Sequence, residues 1–142
     1  MFLDASVIVA LLIREQGYED IERLLSEHRA PFHSSAIARY EAAHGIARAI
    51  AAGTKPAARP TAAHLKQAAE AVDEMFEDLL VEDVPITPEV GHLALAASAQ
   101  YGKAVGHAAD LNLGDCFAYA CAKSRSLRLA YKGNDFIHTD LA

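Results

Sequence analysis

The sequence predicts an α/β fold, a three-layer α/β/α sandwich around a mainly parallel sheet of four to five strands. Short apolar runs alternate along the 142 residues with longer stretches in which apolar residues recur at helical spacing. Strands that alternate with helices pair in parallel and are covered by helices on both faces. With this length and 52% hydrophobic residues, we expect one domain, residues 1–142, with one core.

The strands are predicted where the apolar runs are short and turn-forming residues or helix caps follow them. The first run ends in an acid, Asp4, and is followed at once by a helix. The predicted strands are residues 1–4, 31–33, 81–86 and 127–131, with 136–139 as a candidate fifth strand.

Helix starts are predicted from capping residues. Ser6 precedes apolar residues at helical spacing and is expected to cap the first helix, and Ser34 or Ser35 is expected to cap the third. Thr61 opens a long alanine-rich helix, and Pro88 stands at the first position of another. The predicted helices are residues 7–12, 17–28, 36–52, 61–80, 89–101 and 113–124.

The composition argues against several classes of protein. A formal net charge of -6 does not suit a protein that holds nucleic acid mainly through a basic surface. No apolar run approaches the roughly 20 residues that span a bilayer, and the start lacks the features of a signal peptide. We therefore expect a cytoplasmic protein with no membrane segment. Cys116 and Cys121 lack CxxC spacing and are expected to be reduced packing residues.

Four acidic residues stand where a carboxylate is poorly placed for simple solvation: Asp4, Glu41, Asp115 and Asp135. Asp4 follows the first strand, and in open parallel sheets binding sites form outside the carboxyl ends of the strands. Asp4 could simply cap the first helix, but Ser6 is an equally good cap and leaves Asp4 free for function.

The other three acids also have structural explanations. Glu41 taken alone fits a surface glutamate in a helix. Asp115 with Asn112 fits a relative of the capping box, although the apolar helix that follows places it in a buried setting that needs a partner. Asp135 follows Gly133-Asn134 and fits an Asx-turn. Local sequence leaves these alternatives open.

Together the four carboxylates predict a metal site. Crowded carboxylates repel one another and would bind protons at neutral pH unless a cation neutralised them. Oxygen-only ligands suit Mg²⁺ or Mn²⁺, which keep several waters and lower the pKa of a water that attacks a phosphoryl group. The pattern therefore indicates metal-assisted hydrolysis of a phosphodiester. Asp110, in a polar loop, and Asp140, near the chain end, are less certain ligands.

The chain resembles the PIN-domain ribonucleases, specifically the VapC-type toxins of bacterial toxin-antitoxin pairs. The likeness runs end to end through MFLDASVIVALL, SSAIARYEAAHGI, LNLGDCFAYACAK and LAYKGNDFIHTDLA, of which the last two are the most specific. It implies a PIN-like sandwich and a Mg²⁺- or Mn²⁺-dependent endoribonuclease that cuts structured or single-stranded RNA such as tRNA. It also implies a homodimer that is neutralised by a small cognate antitoxin.

The family's acidic quartet carries over by position to Asp4, Glu41, Asp115 and Asp135. The resemblance implies that Asp4 and Asp115 bind the principal metal directly. It implies that Glu41 and Asp135 act through water or a second ion.

The resemblance also implies supporting roles outside the quartet. Ser6 and Thr139 would give polar support, and Asn112 would shape the loop before Asp115. The acidic net charge is compatible with a basic antitoxin segment whose arginine enters the metal pocket.

Two other classes of protein compete with this interpretation. The pairs Glu41/His44 and Glu89/His92 have the Glu-x-x-His spacing of di-iron helical bundles. However, Pro88 puts Glu89 in a first helical turn, whereas bundles place such pairs in the middle of long helices. A non-catalytic PIN-like protein that binds RNA or a partner is the other alternative, and the presence of all four acids argues against it.

Overall fold

Four short parallel strands form the central sheet. The computed structural model describes residues 1–29, 31–55 and 57–142. The strands are β1 (Phe2–Leu3), β2 (His33–Ser34), β3 (Glu82–Asp83) and β4 (Leu129–Ala130). Their order is β3-β2-β1-β4, and every pairing is parallel. The predicted four-stranded parallel sheet is confirmed, although each strand is shorter than the apolar run that predicted it.

The prediction of a candidate fifth strand at residues 136–139 is wrong, because this segment forms a turn. Phe136 O accepts hydrogen bonds from Thr139 N (3.0 Å) and from Thr139 Oγ1 (2.8 Å), and these bonds close a turn. A carbonyl engaged in this way is not available to a neighbouring strand. Phe136 is buried, with 1% of its surface exposed, and its ring anchors this turn in the core.

In the part of the chain that the structure describes, six α-helices surround the sheet, and all six predicted helices are confirmed. They are α1 (Ala5–Leu12), α2 (Tyr18–Glu27), α3 (Ala36–Thr54), α4 (Ala62–Asp78), α5 (Pro88–Tyr101) and α6 (Leu113–Ser124). A 3₁₀ turn, Lys103–Val105, interrupts the loop before α6. Within the described residues, no helix is both long and apolar enough to cross a membrane.

The start of α3 settles which of two serines is its cap. Ser35 Oγ accepts a hydrogen bond from Ala38 N (3.2 Å), as an N-cap residue does. Ser34 instead donates from its hydroxyl to Leu3 O (2.9 Å) and thereby joins β2 to β1. Both serines are buried, so each hydroxyl has a partner where an unpaired one would be costly.

The hydrophobic core consists of two clusters rather than the one core expected. Successive residues of a strand point to opposite faces, and Phe2 and Leu3 of β1 accordingly belong to different clusters. Leu3 packs in the cluster built mainly from α1 to α4, and Phe2 in the cluster built mainly from α5 and α6. Helices therefore cover both faces of the sheet, which confirms the predicted sandwich.

The strand order reverses at β1, which has β2 on one side and β4 on the other. A crevice forms outside the carboxyl ends of parallel strands at such a point. Asp4 N donates to Ala130 O (3.0 Å), so the chain leaves β1 and β4 side by side. The residues that follow these two strands therefore lie close together.

Candidate active site

A pocket of about 470 Å³ lies at the carboxyl ends of β1 and β4. All four acidic residues singled out in the sequence line it: Asp4, Glu41, Asp115 and Asp135. They come from the start of α1, the second turn of α3, the start of α6 and the turn after β4. The fold thus brings together carboxylates that are far apart in the chain.

Asp4 is the N-cap of α1, and the prediction that Ser6 fills this role is wrong. Asp4 Oδ2 accepts hydrogen bonds from Ser6 N (2.9 Å) and Ser6 Oγ (2.5 Å). Ser6 Oγ also accepts from Lys132 N (2.9 Å), so it ties Asp4 to the segment after β4. Burial raises the pKa of Asp4 against the opposing effect of these hydrogen bonds, and the charge of Asp135 raises it further.

Asp115 both caps α6 and faces the pocket. Its Oδ2 accepts from Asn112 N (2.8 Å), while Asn112 Oδ1 accepts from Gly114 N (2.7 Å) and Asp115 N (3.2 Å), which completes a capping box. The pKa of Asp115 is raised to about 6, chiefly by burial and also by the charges of Asp4 and Asp135. The capping that the sequence allowed is present, and it leaves Asp115 on the pocket wall.

Glu41 is half-buried on α3, unlike a simple surface glutamate. Burial raises the pKa of its carboxyl, and the charges of Asp4 and Asp115 raise it further. Arg48 opposes these effects. Arg48 was not singled out in the sequence, but its position two turns after Glu41 on the same helix face is a signal that could have found it.

Asp135 and Thr139 follow β4 but have different places. Asp135 is exposed on the rim of the pocket. Thr139, which the resemblance implied as polar support, is not among the residues that line the pocket. Its hydroxyl donates to Phe136 O and accepts from Leu141 N (3.2 Å) within the final turns. This geometry gives no support for a role of Thr139 beside the carboxylates, which stays a prediction from the resemblance.

The two acids set aside in the sequence lie outside the pocket wall. Asp110 pairs with Lys103 at 3.6 Å, and its charge contributes to the raised pKa of Asp115. Asp140 accepts from Lys123 Nζ (2.6 Å) and from the hydroxyl of Tyr119 (2.7 Å). Asp140 is therefore occupied by its own partners.

The pocket carries an excess of negative charge. Five acidic and two basic residues line it. One of the basic residues, Lys132, donates from Nζ to Glu15 Oε2 (2.6 Å) at the pocket wall. Within residues 1–29, 31–55 and 57–142, none of the four carboxylates of the quartet forms a salt bridge. Neither Glu15 nor Lys132 had a signal in the sequence, because their contact joins α1's end to the segment after β4.

The donor set matches a hard cation in chemistry but does not form a closed cage. Over the part of the chain that the structure describes, no three His, Cys, Asp or Glu side chains are grouped as a metal site. Mg²⁺ and Mn²⁺ do not need such a cage, because Mg²⁺ usually keeps several waters and binds through one or two carboxylates. Carboxylates with raised pKa values and no paired cation fit that mode of binding.

The structure does not form the helical bundle that a di-iron site requires. A parallel sheet occupies the centre of the fold. His44 packs its ring against Tyr40, with the ring centres 4.3 Å apart, and His92 lies on α5 at a different, mainly apolar pocket. The two Glu-x-x-His pairs are therefore coincidences of helical spacing.

Comparison with known proteins agrees with this fold. The family model described as PIN domain matches residues 1–141. The chain belongs to the PIN-domain family. Among the relatives of this PIN domain is a VapC ribonuclease of Rhizobium meliloti, 45% identical over 99% of this chain and 98% of the relative.

Further relatives place this PIN domain in the VapC branch of the family. Ribonuclease VapC30 of Mycobacterium tuberculosis is 32% identical over 100% of this chain and 96% of its own. In three dimensions the PIN domain is similar to the crystal structure of VapC20 of Mycobacterium tuberculosis, described as a Sarcin-Ricin loop cleaving toxin. The TM-score is 0.65 over 96% of this chain and 92% of VapC20, at 15% identity. That identity supports the fold alone.

Proposed function

We propose that this PIN domain is a Mg²⁺- or Mn²⁺-dependent endoribonuclease and the toxin of a toxin-antitoxin pair. The observation that carries the proposal is one pocket at the carboxyl ends of β1 and β4, lined by four carboxylates that form no salt bridge within the described residues: Asp4, Glu41, Asp115 and Asp135. The full-length relatives named VapC ribonucleases support RNA as the substrate.

Asp4 and Asp115 are the residues that would hold the cation directly. Each carboxylate is fixed by hydrogen bonds at the first turn of a helix, Asp4 by Ser6 and Asp115 by Asn112. A bound divalent cation supplies charge to the phosphoryl oxygens and lowers the pKa of a water. Because the carboxylates are already oriented, little side-chain freedom is lost when they bind the ion.

Glu41 and Asp135 act on water rather than as the principal ligands. Glu41 is held at the pocket wall with a raised pKa, so its carboxylate is suited to orient a water and accept its proton. Asp135 is exposed on the rim, where it can reach a solvent molecule or a second ion. No side chain in this scheme forms a covalent intermediate with the RNA.

The charge of the pocket bears on its partners. The acidic wall repels phosphate until a cation is bound, so metal and RNA bind cooperatively in this scheme. A basic segment of a cognate antitoxin would fit the same wall, because an arginine there could replace the cation.

A homodimer and a cytoplasmic location belong to the same proposal, and light scattering of the purified protein tests the dimer.

Cleavage by the purified, antitoxin-free protein tests the proposal. A tRNA pool, ribosomal RNA and a single-stranded RNA are incubated with Mg²⁺ or Mn²⁺, with EDTA, and with the Asp115→Asn variant. Asp140→Asn is the matched control, since Asp140 carries the same group outside the pocket. Cuts that require the metal and Asp115 but not Asp140 support the proposal. RNA that binds without being cut would favour a non-catalytic RNA-binding protein.

A further inference from the structure

Gly114, the second residue of α6, lies directly against the carboxylate of Glu41. A Cβ atom built on Gly114 would be 2.0 Å from Glu41 Oε2, 2.1 Å from Oε1 and 2.3 Å from Cδ. The glycines Gly53 and Gly91 are also helical, but a Cβ there would have no atom of the described residues within 4 Å. Gly114 is therefore distinguished by what it touches and not by its helical setting.

A side chain at position 114 would have to move Glu41. Cβ atoms essentially never approach other heavy atoms closer than 3.0 Å, so the nearest carboxylate oxygen would have to shift by about 1 Å. The atoms in the way are the end of a flexible side chain and not backbone. The helix can therefore keep its place while the carboxylate moves.

We propose that Gly114 is a positioning residue whose missing side chain reserves the space in which the Glu41 carboxylate lies beside Asp115. The inference rests on the proposed cation site. Three observations support it: Glu41 and Asp115 line the same pocket, Gly114 directly precedes Asp115, and Gly114 itself is buried. The contact joins α3 to α6, so Glu41 reaches the start of α6 only because the residue there is glycine.

The first test compares Gly114→Ala with wild type by calorimetric titration of Mn²⁺ and by thermal unfolding in EDTA. We expect Mn²⁺ to bind about 10- to 100-fold more weakly, the loss typical when a residue that orients a ligand is changed. The Tm in EDTA should stay constant or rise, since alanine favours a helix over glycine. Gly91→Ala is the matched control. It should raise the Tm by about 2–4 °C and leave Mn²⁺ binding unchanged.

The second test asks whether Gly114 acts through Glu41. In a Glu41→Ala background, Gly114→Ala should cause no further loss of Mn²⁺ binding, because no carboxylate remains to be displaced. An equal loss in both backgrounds would overturn the proposal, since the effect would then arise from the Asn112–Asp115 capping box. A crystal structure of metal-free Gly114→Ala should show the Glu41 carboxylate moved by about 1 Å or more, with α6 in place.

The results separate this inference from the proposed function. Weak Mn²⁺ binding by Gly114→Ala, in a protein whose wild type binds Mn²⁺ but cuts no RNA, would support the inference and contradict the ribonuclease. Wild-type Mn²⁺ affinity in Gly114→Ala, together with metal-dependent cleavage by the wild type, would contradict the inference alone. A wild type that binds no Mn²⁺ would contradict both.

Discussion

Two aspartates near opposite ends of α6 have opposite electrostatic surroundings. Asp140 accepts hydrogen bonds from Lys123 and Tyr119, and chiefly the bond from Lys123 lowers its pKa. Asp115, at the start of the same helix, is surrounded by other carboxylates, and its pKa is raised to about 6, mainly by burial. Asp140 has a cationic partner in Lys123, whereas Asp115 forms no salt bridge with any residue that the structure describes.

The difference supports the proposal that Asp115 serves a cation site and that Asp140 stabilises the fold. A carboxylate that is neutralised by its own lysine stabilises the fold and has little to offer a ligand. A carboxylate held among like charges costs stability, and folds retain such groups mainly at functional sites. The acidic pocket can recover that cost when a divalent cation binds, because the cation reverses the repulsion. The predictions below test this contrast.

The largest expected effect is the loss of cleavage in Asp115→Asn. An amide is a weaker ligand for a hard cation than a carboxylate. Changing a residue that only orients a metal ligand typically lowers metal affinity or activity by about 10- to 100-fold, and the loss of a direct ligand should cost more. We therefore expect the rate of RNA cleavage to fall by more than about 100-fold. Single-turnover cleavage of a labelled RNA at saturating Mn²⁺ measures it.

Asp140→Asn is the control for that experiment. It removes the same charge near the other end of α6 and should cut RNA within about two-fold of the wild-type rate, since Asp140 does not line the pocket. Equal losses in the two variants would mean that α6 as a whole, rather than Asp115, supports activity. Normal cleavage by Asp115→Asn would show that the cation site is assigned to the wrong residue.

The next effect is on the stability of the metal-free protein. The folded pKa of Asp115, about 6, exceeds its unfolded value of 3.8, so the folded state holds the proton more tightly. The free energy of unfolding should therefore fall as the pH rises through this window and stay level above it. Because Asp115 is only partly buried, we expect the free energy of unfolding of Asp115→Asn, relative to that of wild type, to increase by about 1–2 kcal/mol between pH 4 and pH 7.

Urea unfolding in EDTA at a series of pH values checks this prediction. Saturating Mn²⁺ should reverse the order at pH 7, because only the wild type gains the free energy of binding the ion. A stability difference that does not change with pH would mean that Asp115 titrates normally. The contrast with Asp140 would then lose its electrostatic basis.

A smaller effect is expected at Asp140. Asp140→Asn gives up charge-assisted hydrogen bonds from Lys123 and Tyr119 in a half-exposed setting, so we expect it to cost about 1 kcal/mol at pH 7. The folded pKa of Asp140 is lowered, so its contribution is present above the unfolded pKa and is lost as the pH falls through the folded one. The sign of the pH dependence is therefore opposite to that of Asp115, and the same urea series measures both.

The sequence predicts local features of this fold better than contacts between distant residues. The start of α6 follows from the Asn112 cap, and Pro88 marks the start of α5, because caps act within one turn. The sequence predicts a strand at 136–139 where the structure has a turn, because an apolar residue such as Phe136 can be buried in either. Asp4 was identified, but its capping role was assigned to Ser6, since both residues favour that position.

The candidate site shows the same difference between residues that local sequence identifies and residues whose role depends on a distant contact. The four acids could be identified because each stands at a strand or helix boundary, or in the context of a family motif. Gly114 could not, because its importance depends on Glu41 of α3, a residue far away in the sequence. Lys132 and Glu15 could not either, for the same reason.

The smallest predicted effect concerns this Lys132–Glu15 pair and is a further test of the comparison. Lys123 neutralises Asp140 directly, whereas Lys132 lines the acidic pocket but is engaged by Glu15. Glu15→Gln should free Lys132 to approach the carboxylates and weaken Mn²⁺ binding by about two- to five-fold, the range of a partly exposed ion pair. Lys132→Gln should strengthen Mn²⁺ binding by a similar factor, because it removes a positive charge from the pocket.

Titration calorimetry at low and high salt measures both changes. Each should shrink as the ionic strength rises, because salt screens exposed charges. Changes of the same sign in the two variants would indicate a structural role for the pair. Opposite signs would mean that Glu15 holds Lys132 away from the four carboxylates. Lys132 then does not neutralise them as Lys123 neutralises Asp140, and the quartet stays available to an external cation.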